Sequence, residues 1–152
     1  MGTFKAILFH IHNELFLVDI SKIQSIELPG TITPIGGFPE EILGVSQIRK
    51  ELVPVIDLGT VVAHRPIVQD EESKLLLLSS AYGTLGCLVS CADDIIEMEA
   101  SDVKTMSIRS TPADYFGGAV ERDGKLVVKL LPEHLYQGIE GIETISSALH
   151  AQ

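Results

Sequence analysis

Four times along this chain two short aliphatic runs flank a break of two to four residues, a pattern that dictates hairpins rather than long helices. Residues 4–12 (FKAILFHIH) and 15–20 (LFLVDI) meet across Asn13-Glu14, and residues 43–49 and 52–58 meet across Lys50-Glu51. Residues 74–80 (KLLLLSS) and 85–91 (LGCLVSC) flank AYGT, where Gly83 supplies backbone dihedrals that other residues resist. Residues 118–131 fold about Asp123-Gly124, the strongest two-residue turn signal present. Pro54, inside its run, marks an edge strand, a strand start or a bulge.

Between these hairpins, Ile23 and Ile26 stand three apart in SKIQSIEL and suit a single helical turn, as do residues 92–98. Pro29-Gly30, Pro34, Gly36-Gly37 and Pro39 punctuate a long loop. Residues 63–73, with Asp70, Glu71 and Glu72 in sequence, read as a solvated linker, and a polar stretch to Ser110 precedes the last hairpin. After Pro132, the spacing of Leu135, Ile139, Ile142, Ile145 and Leu149 partly fits one helical face, weakened by Gly138 and Gly141. The expectation is an all-β body over residues 1–136 and a tail, 137–152, that forms a short helix.

A chain of 152 residues is the size of one ordinary domain or of two small interdependent lobes. Its apolar share of 45% is carried mainly by Ile, Leu and Val, with 5% aromatics and no Trp, so the core is expected to be aliphatic. The order of elements also repeats. Leu17-Val18, the Ile23/Ile26 turn and the Gly44 hairpin have counterparts about seventy residues on in Leu88-Val89, the Ile95/Met98 turn and the Gly118 hairpin. Duplication of one β-unit, giving two similar barrels that share a seam, explains the repeat, with Leu17, Val55 and Leu88 as core positions.

A formal charge of −10 opposes binding to nucleic acid and docking on an anionic membrane surface, which leaves a protein or a small ligand as partner. No apolar run approaches the ~18 residues a membrane span requires. Cys87 and Cys91, placed in one strand, would lie ~13 Å apart and could not form a disulfide. They read as small core residues of a reducing compartment, so a cytoplasmic location is expected.

Catalytic signatures are absent from the sequence: it holds no nucleophile elbow, phosphate loop, dinucleotide fingerprint or calcium loop. His10 and His12, two apart on a strand, would project from one face and could offer two imidazoles to a metal, with His64 or a carboxylate as third ligand. Ordinary hydrogen-bonded histidines are the simpler expectation, and no metal or other cofactor is assigned. Asp93, Asp94, Glu97 and Glu99 read as an acidic helix start rather than as paired catalytic carboxylates. Arg49 differs, because it ends an apolar strand beside Lys50 at a hairpin tip, in a chain with only eleven Lys and Arg. A guanidinium there serves either as an anchor for a protein partner or in a salt bridge to Asp57 or Glu51.

Residues 44–58, GVSQIRKELVPVIDL, with the upstream LFLV, SKIQSIEL and ITPIGGFPEEILGV and the later LGCLVSCADDIIEM and FGGAVERDGKLVVKLL, resemble the CheW-like chemotaxis coupling family over nearly the whole chain. The resemblance implies two SH3-like five-stranded β-barrel lobes packed around a hydrophobic seam. It also implies a non-catalytic adaptor that bridges the cytoplasmic tip of a chemoreceptor to the regulatory domain of a CheA-type histidine kinase, and that pairs with other CheW-like domains. Arg49 matches the family's characteristic arginine, Gly44 the glycine opening its strand, and Ile23 the apolar position of the preceding turn; Gln47, Ile48 and Lys50 complete the expected partner surface. Lys50 stands where the family usually has Gly, Gln47 where it has Asn, Ser90 where it commonly has Asp, and Leu131-Pro132 where Leu-Asp is common. The alternatives are a divergent scaffold, or a small-ligand or metal sensor built on the same body with His10 and His12.

Overall fold

The computed structural model describes residues 2–104 and 115–150. Ten strands follow one another as β1 (Thr3–Ile11), β2 (Glu14–Asp19), β3 (Ile23–Glu27), β4 (Ile42–Ile48), β5 (Glu51–Asp57), β6 (Lys74–Ser80), β7 (Gly83–Val89), β8 (Cys91–Glu99), β9 (Phe116–Arg122) and β10 (Lys125–Leu130). They form two five-stranded sheets, ordered β8-β1-β2-β10-β9 and β3-β6-β7-β5-β4. Each sheet makes one SH3-like lobe. Among the described strands, β2 with β10 and β5 with β7 pair in parallel, and the other neighbours pair antiparallel.

The duplication is present strand for strand, and the halves are exchanged. Each lobe combines the first hairpin of one half with the last three strands of the other, so neither half completes a sheet alone. Gly44 and Gly118 occupy equivalent places with φ of 145° and 137°. At each, a side chain would strike a crossing backbone, at the carbonyl of Thr33 in one case and of Lys104 in the other. Those segments bridge to Val45 and Ala119 respectively, so the glycines permit the same close crossing twice.

Continuous apolar runs such as residues 75–78 arise because the central strands are covered on both faces. Ala6, Leu8 and Leu17 point into a small core with Ile96, Met98, Val120 and Val127. Ile7, Phe9, Phe16 and Val18 point the other way, into a larger core shared with Val55, Leu76, Leu78 and Leu88 of the second sheet. That larger core is the seam between the lobes. Phe9 stacks on Phe16 there with ring centroids 5.9 Å apart.

Several local expectations require correction. The first turn is His12-Asn13, one residue earlier than expected, since Ile11 pairs with Glu14. Residues 23–27 form strand β3 rather than a helical turn, and the only helical turn nearby is the 3-10 segment Ile20–Lys22, capped by Asp19. Ser25 and Glu27 take inward positions on β3 while Ile26 faces out, so its period of two is not written in apolar residues. Residues 92–98 belong to β8, an edge strand held by pairing with β1, so the acids there line a sheet edge rather than start a helix. Cys87 and Cys91 fall in separate strands, β7 and β8, and both are free.

Pro54 lies in an interior strand, yet the rule against proline there is respected. Val45 opposite it bonds Thr33 instead, and pairing of β5 with β7 begins only at Val55, so the position needs no N–H. A short helix α1 (Leu58–Ala63), not expected from the sequence, follows β5. The C-terminal segment forms two helices, α2 (Pro132–Gly138) and α3 (Ile142–Leu149), broken at Gly141 with φ of 100°. The single helical face is therefore split, although Leu135, Ile142 and Ile145 are all buried.

Leu17 and Leu88 are fully buried, one in each lobe. Leu17→Ala and Leu88→Ala should each lower stability by about 2–5 kcal/mol. Because the strands are exchanged, each should shift one cooperative urea transition rather than split it into two.

Candidate docking cleft at the β4–β5 hairpin

The hairpin that carries Arg49 is shaped by backbone conformations that most residues avoid. A bulge between Ile42 and Gly44 turns the strand, and Thr33 exchanges two backbone hydrogen bonds with Val45, at 2.8 and 2.9 Å. The Ser46 hydroxyl donates to the Thr31 carbonyl at 2.9 Å, which fixes the 31–33 segment along the outer edge of β4. At the tip Arg49 and Lys50 have φ of 51° and 71°, and Ile48 pairs directly with Glu51. This is a two-residue turn with both central residues in the left-handed region, the conformation for which glycine at the second place is best suited. Lys50 adopts it at a cost of about 1 kcal/mol.

Beside the hairpin opens a cleft of about 690 Å³, lined by Leu28, Thr31, Ile35, Val45, Gln47, Ile48, Arg49, Leu52 and Leu149 among others. Leu28 is 73% exposed and Leu52 is 44% exposed, so apolar surface faces solvent on both sides of it. The guanidinium of Arg49 approaches Glu27 Oε2 at 3.1 Å while 74% of its side chain remains exposed. One corner of a five-donor group is held and the rest faces outward. Glu27 Oε2 is itself buried and has no well-aligned hydrogen bond among the described residues, so the contact is an ion pair that ties β3 to the tip of β4.

Of the residues expected at a partner surface, Gln47, Ile48 and Arg49 line the cleft and Lys50 adjoins it in the turn. Gly44 lies beneath, shaping the crossing of Thr33, and Ile23 packs partly buried against the core at the far end of β3. Glu27, Leu28, Ile35 and Leu149 were not identified from sequence. Glu27 was legible only as an acid in SKIQSIEL, and reading that stretch as a helical turn concealed its inward position.

The alternative weighed for Arg49, a salt bridge to Asp57 or Glu51, does not form, and Arg49 pairs with Glu27 instead. Asp57 is almost fully buried and serves another purpose, accepting from the backbone N–H groups of Gly59 at 2.8 Å, Thr60 at 3.2 Å and Ile67 at 3.1 Å. It caps α1 and ties down the loop that follows. His10 and His12 do not converge. His10 Nδ1 lies 2.6 Å from Asp93 Oδ2, whereas His12 Nε2 meets the Arg65 carbonyl at 2.8 Å, and His64 ends α1 with φ of 52°. Burial pushes the Cys87 thiol far above its ordinary range, which makes it an inert core group.

The architecture defines a class: a double-barrel β-module that presents an open, partly apolar cleft with an arginine at its lip. The chain belongs to the CheW-like domain family, whose model matches residues 5–140. Among its relatives, the chemotaxis protein CheW of Klebsiella aerogenes is 29% identical over 98 residues, covering 64% of this chain and 59% of that one. The CheW of Bacillus subtilis is 24% identical over 101 residues (66% and 65% of the two chains), and that of Treponema pallidum 22% over 143 residues (90% and 84%). The matched part thus spans just under two thirds of the Klebsiella and Bacillus proteins. The crystal structure of the scaffolding protein TtCheW from Thermoanaerobacter tengcongensis superposes with a TM-score of 0.82 at 20% identity, covering 90% of this chain and 89% of that one.

Lys50→Gly should relax the left-handed turn and raise stability by roughly 0.5–1 kcal/mol in urea unfolding. Asp57→Ala, which orphans three backbone donors, should lower it by about 2–4 kcal/mol, and Asp57→Asn should recover part of that loss.

Proposed function

We propose that the protein is a non-catalytic adaptor of a chemotaxis-type signalling system, bridging the cytoplasmic tip of a chemoreceptor to the regulatory domain of a CheA-type histidine kinase. The observation that carries this reading is Arg49, held by Glu27 at one corner and open to solvent over a cleft flanked by Leu28 and Leu52. An apolar surface with a single forked cation at its rim suits a protein helix or strand edge, where the leucines supply buried area and the guanidinium sets register through charge-assisted bonds. Gln47, Ile48 and Lys50 extend that surface, with Gly44 shaping it from below, and Ile23 contributes by seating β3. Contacts with other CheW-like domains belong to the same proposal.

Among the described residues no helix is long and apolar enough to cross a membrane. A cytoplasmic adaptor would reach the membrane only through its receptor. The net charge of −10 suits it to basic surfaces on protein partners and repels anionic lipid and nucleic acid.

Arg49→Ala should weaken binding to the kinase regulatory domain or to the receptor tip by about tenfold or more in calorimetry, since hydrogen bonds to charged groups are worth roughly 1.5–3 kcal/mol. Its urea midpoint should fall only modestly, because the arginine end of the pair is largely exposed although the variant leaves the buried Glu27 Oε2 without its cation. Unchanged affinity for both partners would remove Arg49 from the interface.

A further inference from the structure

Away from the cleft, the point where the chain crosses from one lobe to the other gathers three metal-ligating side chains of different chemistry. His10 of β1 and Cys91 of β8 are direct cross-strand partners, and Asp93, two residues further along β8, falls on the same face. Their ligand atoms all lie within 4.8 Å of one another. We propose that His10, Cys91 and Asp93 form a binding site for a zinc-class divalent transition ion.

The distances are those that tetrahedral coordination requires. With Zn–S of about 2.3 Å and Zn–N of about 2.0 Å, neighbouring ligand atoms of a tetrahedral site stand about 3.5 Å apart. Cys91 Sγ lies 3.6 Å from His10 Nδ1 and 3.5 Å from Asp93 Oδ1. Only the hydrogen bond between His10 Nδ1 and Asp93 Oδ2, at 2.6 Å, must open for both groups to ligate the ion. His10 and Cys91 form the last pair of the β1–β8 ladder, and the bulge between Ile7 and Phe9 leaves Asp93 beside them without a partner residue on β1.

Donor type selects the ion. A thiolate with an imidazole disfavours magnesium and calcium and favours zinc, cobalt, nickel or copper. On binding, the Cys91 thiol releases its proton to solvent, and thiolate plus carboxylate then neutralise the two positive charges of the ion. In the free protein, partial burial and the Asp93 carboxylate push the Cys91 thiol above its ordinary range, with Glu72 adding to the effect. A cation reverses that electrostatic cost.

The ion would clamp the crossover. Ser90, between β7 and β8, already donates from its N–H to the His10 carbonyl at 2.9 Å and accepts from the His12 N–H at 2.8 Å. A metal bridging β1 to β8 adds a bond at the junction between lobes.

The test titrates tag-free, chelator-treated full-length protein with zinc by calorimetry and with cobalt by absorption. The proposal expects one ion per chain, a thiolate-to-cobalt charge-transfer band, affinity that rises with pH as the thiol proton is released, and a melting midpoint raised by zinc. His10→Ala, Cys91→Ser and Asp93→Asn should each weaken zinc binding by at least about tenfold, and Cys91→Ser should abolish the thiolate band. Zinc affinity in wild type no greater than in the His10→Ala/Cys91→Ser double variant would overturn the proposal. So would a thiolate band that survives Cys91→Ser, which retains Cys87.

Discussion

The exchange of strands between the two halves is the constraint on which everything else rests. The parallel pairings of β2 with β10 and β5 with β7 complete sheets that each half leaves open, and they bury the central strands on both faces. A hairpin alone is marginal in water, and five strands closed over an aliphatic core are not. The exchange also explains the shared seam, because Phe9 and Phe16 of one sheet reach the same core as Leu76 and Leu88 of the other. It further sets the cleft, since closing the second lobe brings Glu27 at the end of β3 to Arg49 at the tip of β4.

On that frame a few backbone positions carry disproportionate weight. Gly44 lets Thr33 cross the strand, and its equivalent Gly118 does the same for Lys104. The left-handed pair Arg49-Lys50 forms the tip, and the largely exposed Arg49 side chain lines the same cleft as Leu28 and Leu52. A strained turn built from two cations is a local cost offset among the described residues by the ion pair to Glu27, the pattern expected where a surface is kept for recognition.

Much of this was legible in the residues. Asp123-Gly124 announced its turn, the aliphatic pairs announced the hairpins, and the repeated order of elements announced two barrels. What escaped shares a physical cause, namely that tertiary pairing decided conformation where local pattern was ambiguous. Strand β3 turns Ser25 and Glu27 inward and Ile26 outward, so its periodicity misled; β8 is a strand only because β1 holds it. Long-range partners were equally hidden: Arg49 pairs with Glu27 rather than with Asp57 or Glu51, and His10 meets Asp93 and Cys91 rather than His12. Asp57 looked like a partner for the arginine because sequence distance shows proximity but not burial, and its carboxylate is committed to three backbone donors.

The central claim is that the cleft beside β4 and β5 is where a protein partner docks. Methyl-labelled protein titrated with the kinase regulatory domain and, separately, with the receptor tip tests it most directly by NMR. The account predicts that for at least one partner the perturbed methyls centre on Leu28, Ile35, Ile48 and Leu52, with Leu149 at the margin. Perturbations confined to Ile95 and Leu126, exposed on the other sheet, with those five methyls unmoved by either partner, would contradict it.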